Sequence, residues 1–162
     1  MKRMVLTIGM MFVLMMVFAG TKSKAQKGND GTINFSCPLK EVCKISSGYG
    51  ERKDPVTESV FFHNGIDLMA ESGTDVYSAE EGTVIMTGFN MTYGNFVIVG
   101  HRYGYQTVYA HLSEILVEVN DSVTKKTKIG LLGNTGISTG PNLHFVIVKD
   151  GEYIDPEKLI KF

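Results

Sequence analysis

Cysteine is scarce in this chain: Cys37 and Cys43 are the only two in 162 residues. Two thiols with no histidine nearby exclude a cysteine-ligated metal site. They bracket Pro38 to Val42, which fits either a small disulfide loop in an exported protein or two buried free thiols. Sustained helical periodicity is also missing; Ser113 to Leu116 and Pro156 to Ile160 offer single turns at most. There is no long internal repeat and no low-complexity tract. An excess of positive charge is absent too. Residues 1–25 hold four of the 16 basic side chains and none of the 17 acidic ones, so the remaining 137 residues carry a net charge of −5. That balance argues against nucleic acid and against an anionic membrane surface as partner.

What is present begins with an address. Lys2 and Arg3 precede the 16-residue apolar run Met4 to Ala19, and Ser23-Lys24-Ala25 follows with small residues at −3 and −1. This pattern predicts a secretory signal over residues 1–25, cleaved before Gln26, and export to the periplasm or cell surface. A retained membrane anchor is the alternative, although the run is shorter than the roughly 20 residues a span needs. No cysteine ends the run, which argues against a lipid anchor. Once the signal is cleaved, no stable membrane partner is expected, and the oligomeric state is left open. Residues 26–34 are polar and contain Gly28, Asn29, Asp30 and Gly31, which predicts a flexible leader. The remainder, 35–162, is long enough for one domain with a real core.

Short apolar runs bounded by glycine predict an all-β fold with tight turns. Gly82 to Gly88, Phe96 to Val99, Lys128 to Leu132 and Leu143 to Val148 read as strands, and Tyr105 to Leu112 as the hairpin partner of Phe96–Val99 across Arg102-Tyr103-Gly104. By alternation Val108, Ala110 and Leu112 face a core, while Thr107, Tyr109 and His111 line the polar side of a groove. In the last strand Asn142 and His144 share one face, and Leu143 and Phe145 the other.

Polar groups at the mouth of an apolar strand need a reason to be there. Upstream, His63-Asn64-Gly65-Ile66-Asp67 supplies a second histidine and a carboxylate. In a straight strand residues four apart sit about 13 Å apart, too far to share an ion, so a bend at Asn64-Gly65 is expected, with Gly65 taking the unusual dihedrals. Two histidines and one aspartate then form a three-ligand zinc set with a fourth position for water. His111, in Tyr109-Ala110-His111-Leu112, is the spare group such a site would turn on its substrate. His101 begins a hairpin turn and reads as structural or exposed. The run Gly133 to Gly140 is not a phosphate cradle, because a strand rather than a helix follows it. The span Val117 to Gly130 resembles half-barrel strands of biotinyl and lipoyl carriers, but it offers no exposed lysine at a hairpin tip.

His-x-x-x-Asp, Tyr-Ala-His-Leu and Ser-Thr-Gly-Pro-x-Leu-His-Phe, in this order, resemble the lysostaphin-type zinc metallopeptidases, which cut peptide bonds in bacterial peptidoglycan. The resemblance runs from Ser47-Gly48-Tyr49-Gly50-Glu51-Arg52 to about Ile154. It implies an antiparallel β-sheet sandwich or half-barrel over 35–162. It implies Zn2+ on His63, Asp67 and His144, with stem peptides and cross-bridges of peptidoglycan as partners. His111 matches one of two further active-site histidines and would orient the attacking water or donate to the oxyanion. The other matches Asn142, where this chain departs from the family's His-x-His. The metal site is thus complete and the catalytic shell one histidine short. An amide at 142 could donate to the oxyanion but exchanges no proton near neutral pH. The resemblance therefore implies a zinc endopeptidase of reduced activity, or alternatively a weakened or inactive zinc-binding regulatory or cell-wall-binding module. Nothing in the sequence names the bond cut.

Overall fold

A computed structural model describes residues 31, 33–40, 44–53 and 58–161. The expected signal over 1–25, most of the expected leader and Cys43 lie outside the described residues. Cys37 is disulfide-bonded, so the free-thiol alternative does not apply to it.

No α-helix occurs among the described residues. The first strands are β1 (Phe35–Ser36), β2 (Lys44–Ser47), β3 (Gly50–Lys53), β4 (Val60–His63), β5 (Ile66–Met69) and β6 (Asp75–Tyr77). The long central strands are β7 (Gly82–Asn90), β8 (Gly94–Gly100) and β9 (Tyr105–Ile115). Then come β10 (Ser122–Val123), β11 (Lys128–Leu132), β12 (Leu143–Lys149), β13 (Glu152–Ile154) and β14 (Ile160–Lys161). Strands β10, β7, β8, β9, β12, β5 and β2 lie side by side in that order, each antiparallel to its neighbours. Strand β11 pairs with β9 and β6, and β13 with β12. A separate hairpin joins β3 to β4, and β1 runs parallel to β14. The all-β antiparallel class and the β8–β9 hairpin are as the glycine-bounded runs predict. Of the two expected single turns, Pro156–Lys158 is a 3-10 turn capped by Asp155, whose carboxylate accepts from Glu157 N at 3.1 Å. Ser113 to Ile115 instead extends β9.

The central sheet is buried on both faces. One face carries Val97 and Val99, Tyr105 and Tyr109, Ile66 and Leu68, and Leu143, Phe145 and Ile147 into the main core. The other packs Phe96, Ile98, Val108, Ala110, Val146 and Val148 into a smaller cluster. The folded body also starts before residue 35: Ile33, inside the expected leader, is 2% exposed and belongs to the main core.

Strand β9 departs from simple alternation. Tyr109 and Leu112 both lie in the main core, while Val108 and Ala110 lie in the smaller cluster. The cause is a bulge. Four residues of β9, Tyr109 to Leu112, lie opposite three of β8, Val97 to Asn95, and His111 adopts φ = +65°. An extra residue on one strand flips the side-chain order beyond it. Thr107 and Tyr109 therefore do not line a groove. Their hydroxyls lie 2.9 Å apart in the core, and the Tyr109 hydroxyl accepts from Ala79 N at 2.8 Å. His101 closes this network, with Nε2 at 2.8 Å from Thr107 Oγ1 and Nδ1 at 2.8 Å from Glu81 O. It is a structural residue, as expected. Tyr109→Phe should strand these groups and cost about 1–3 kcal/mol of stability, read as a lower denaturant midpoint with metal binding unchanged. An unchanged midpoint would show that the hydroxyl network contributes nothing.

Candidate metal centre and active site

The smaller-cluster face of β12 and β5 builds the site. Strand β5 turns Ile66 and Leu68 into the main core, so Asp67 between them faces the other way. Strand β12 does the same with Leu143 and Phe145, which leaves His144 beside Asp67. The two strands pair so that Asp67 and His144 stand directly opposite each other. His63 arrives from the end of β4 through the bend at Asn64-Gly65. Gly65 does not adopt the left-handed dihedrals expected of it. It is needed for space, because a Cβ there would lie 2.4 Å from the Phe145 carbonyl and 3.0 Å from the His144 ring.

Three ligand atoms converge. His63 Nε2 lies 3.1 Å from both Asp67 Oδ1 and His144 Nδ1, and His144 Nδ1 lies 2.9 Å from Asp67 Oδ1. A tetrahedral ion with bonds of about 2.0–2.1 Å separates its ligand atoms by roughly 3.3 Å. The observed triangle is close to that size.

Outer partners set the tautomers. His144 Nε2 donates to Asn64 Oδ1 at 3.1 Å, so in the neutral ring Nδ1 presents its lone pair to the triangle. Asn64 Nδ2 donates in turn to the Tyr93 hydroxyl at 3.2 Å, and the Tyr93 ring stacks on His144. His63 Nδ1 donates to Gly48 O at 2.8 Å, which frees Nε2. Arg52 shares that carbonyl at 2.7 Å, abuts His63 and lies 3.8 Å from Asp67 Oδ2. Burial pushes the Asp67 carboxyl up, but hydrogen bonds and charge from His144 and His63, in the forms that carry a proton toward it, outweigh burial and hold the group well below the ordinary carboxylate range. Burial lowers His144. A carboxylate and two neutral imidazoles are what a divalent ion requires.

His111 reaches the same cleft by way of the bulge. Its ring centre lies 5.8 Å from that of His144. Its Nδ1 donates to Thr135 O at 2.7 Å, and its backbone N donates to Tyr93 O at 2.7 Å. The glycine-rich run 133–140 thus holds His111 as well as feeding β12. It can lie against the β7–β8 turn because Gly94, at φ = +62°, carries no Cβ that would meet Thr135 backbone at 2.4 Å. With the proton fixed on Nδ1, neutral His111 offers an acceptor at Nε2. Burial keeps it neutral to lower pH than an ordinary imidazole.

Asn142 sits just before β12, bridged to Gly133. Its Nδ2 donates to Ser138 Oγ at 2.7 Å and to Gly140 O at 2.9 Å. Both amide protons are committed to the loop, so the expected donation to an oxyanion is not available in this arrangement. Asn64, Tyr93, Arg52 and Thr135 were not singled out by sequence. Asn64 lies inside His-x-x-x-Asp and Arg52 inside the Ser-Gly-Tyr-Gly stretch, whereas Tyr93 and Thr135 carry no local signal.

Asn64→Ala frees the His144 ring to turn and should weaken metal affinity by about 10–100-fold, measured by competition with a chromophoric chelator. An unchanged affinity would remove Asn64 from the centre.

Comparison with known proteins bears directly on this geometry. The model of peptidase family M23 matches residues 61–156. Over 122 residues the chain is 40% identical to peptidoglycan DD-endopeptidase ShyA of Vibrio cholerae, covering 75% of this chain and 28% of that protein. The chain therefore spans under a third of that relative's length. A zinc-containing peptidase from Vibrio cholerae superposes with a TM-score of 0.72 at 37% identity, over 76% of this chain and 39% of that one. The catalytic domain of lysostaphin from Staphylococcus simulans superposes with a TM-score of 0.65 at 30% identity, over 72% and 90%. Matched over more than half its length by the family model, the chain belongs to peptidase family M23.

Proposed function

We propose that this protein is an exported zinc endopeptidase that hydrolyses peptide bonds of peptidoglycan, of the D,D class named for its relatives. The observation that carries the reading is the triangle of His63 Nε2, Asp67 Oδ1 and His144 Nδ1, sized for a tetrahedral ion and set beside a fourth polar group, His111. Zinc held there supplies Lewis acidity, polarising a carbonyl and acidifying water. The remaining work falls to the chain. His111 Nε2 accepts the proton of the attacking water, and Thr135 O keeps that nitrogen aimed into the cleft. Asn64 and Gly48 O keep the two ligand imidazoles turned inward. A second reading, a weakened or inactive module of the same fold, is favoured by Asn142, whose committed amide stands where the resembling family has a histidine.

His144→Ala should abolish tight zinc binding, since two ligands rarely hold the ion. Elemental analysis showing one zinc per chain in that variant would refute the ligand set. His111→Ala should keep its zinc and lose about 10²–10³ in wall hydrolysis. The acid limb of the wild-type pH profile should lie below the ordinary imidazole value of 6.5, because burial lowers His111 and the neutral, proton-accepting form persists as pH falls. A wild type that binds zinc yet digests no purified wall would favour the module. For export, intact mass of secreted protein should show loss of residues 1–25; Met1 retained in a membrane fraction would favour an anchor.

A further inference from the structure

Exposed apolar surface on this domain is not spread evenly. Of the ten large apolar side chains exposed among the described residues, six lie on the three segments that build or brace the centre. Val60, Phe61 and Phe62 precede the ligand residue His63 on β4. Phe89 and Met91 lie at the β7–β8 turn that holds the His111 backbone, and Ile137 lies on the loop that holds its ring. Scattered singly, such residues need no explanation, but a concentration of them marks a surface that something covers. Three in succession on a four-residue strand are a liability unless they serve a function.

The hairpin register separates these three. Gly50 stands opposite His63, Glu51 opposite Phe62, Arg52 opposite Phe61 and Lys53 opposite Val60. Residues opposite each other share a face, and so do residues two apart on one strand. One face therefore carries His63, Arg52 and Phe61, and the other carries Val60, Phe62 and Lys53. The first is the face of the centre, because His63 Nε2 enters the triangle and the Arg52 guanidinium reaches to 3.8 Å from Asp67 Oδ2. The second is anchored to the body. Phe62 packs edge-on against Tyr49 with ring centres 5.0 Å apart, and the Tyr49 hydroxyl donates to Tyr153 O at 3.1 Å. Phe61 has no ring partner among the described residues and is 49% exposed. It stands roughly 6–7 Å along the strand from His63, the length of two residues of an extended peptide. A ring so placed meets the side chain beside the scissile bond when the carbonyl of an extended peptide reaches the triangle.

We propose that Phe61 is a specificity residue whose ring forms the apolar wall for the side chain flanking the scissile amide, so that an alanine-sized or larger apolar residue is preferred there to glycine or a cationic residue. The inference rests on the peptidase reading and adds to it the chemistry of the residue beside the bond that is cut. Each methyl or methylene covered by the ring favours the apolar substrate. Glycine offers the ring nothing to cover, and a cationic side chain would lose water beside the like charge of Arg52.

Phosphinic pseudopeptides, in which a tetrahedral phosphinate replaces the scissile amide, test this without turnover. Three are compared, with alanine, glycine or lysine on both sides of the phosphinate. Titration calorimetry on the zinc-loaded full chain should show the alanine compound binding about tenfold more tightly than either other. Phe61→Ala should bring the ratios near one with zinc content unchanged, and Phe61→Leu, which keeps an apolar wall, should retain most of the preference. Val60→Ala removes a more exposed side chain from the opposite face and should leave the preference intact. Equal affinities in the wild type, a preference that survives Phe61→Ala, or an equal loss in Val60→Ala would overturn the assignment while leaving the peptidase reading intact. So would a wild-type dimer in sedimentation that Phe61→Ala dissociates, which would give the hairpin to a second copy. If the zinc-loaded wild type binds none of the three compounds, the peptidase reading falls and this inference with it.

Discussion

Two imidazole nitrogens and a carboxylate oxygen held 2.9–3.1 Å apart repel one another unless something positive lies between them. The rest of the site is organised around that constraint. Each ring could relieve the repulsion by rotating or by moving its proton inward, and each is prevented by an acceptor on its far side: Gly48 O for His63 and Asn64 Oδ1 for His144. Arg52 adds a fixed positive charge beside the carboxylate but stays 3.8 Å away. The fold thus preserves three converging lone pairs at a free-energy cost, which binding of a cation offsets.

That arrangement depends on parts of very different rigidity. Asp67 and His144 stand on paired strands whose alternate residues anchor the main core, so their separation is as fixed as the sheet itself. His63 depends on a two-residue bend and on Gly65 approaching β12 closely enough to exclude any Cβ. His111 depends on a bulge, a left-handed backbone and the carbonyl of a loop residue. Local strain of this kind persists only where the surroundings over-determine it. Here the β7–β8 turn supplies Tyr93 O, and the 133–140 loop supplies Thr135 O. Asn142 closes that loop through Ser138 and Gly140, so it also holds the segment that aims His111.

Strand positions were legible in the sequence because short apolar runs between glycines admit few other readings. Lys128–Leu132 is a strand with the bounds read from sequence, and Leu143 to Val148 is longer by one residue. The His63, Asp67 and His144 cluster was legible because alternation around Leu143 and Phe145 leaves one face to His144, and because His63 and Asp67 are joined by an evident bend. Where alternation was carried through β9, it misplaced Thr107 and Tyr109. A bulge arises from pairing with β8, and no residue within Tyr105 to Leu112 announces it.

The sequence by itself determined the chemistry of the centre: two imidazoles, a carboxylate and a third imidazole, in motifs whose residue types admit little else. It also determined which strand face each ligand takes, since burying Leu68 and Phe145 commits their neighbours. Only the tertiary structure decided how those groups are aimed. The tautomers of His63 and His144 follow from Gly48 and Asn64, the placement of His111 from a cross-strand register, and the orientation of the Asn142 amide from a serine and a carbonyl in the preceding loop. The physical reason is that a hydrogen bond is directional and fixes protons through partners the chain brings close only on folding, whereas side-chain alternation is local and needs no partner at all.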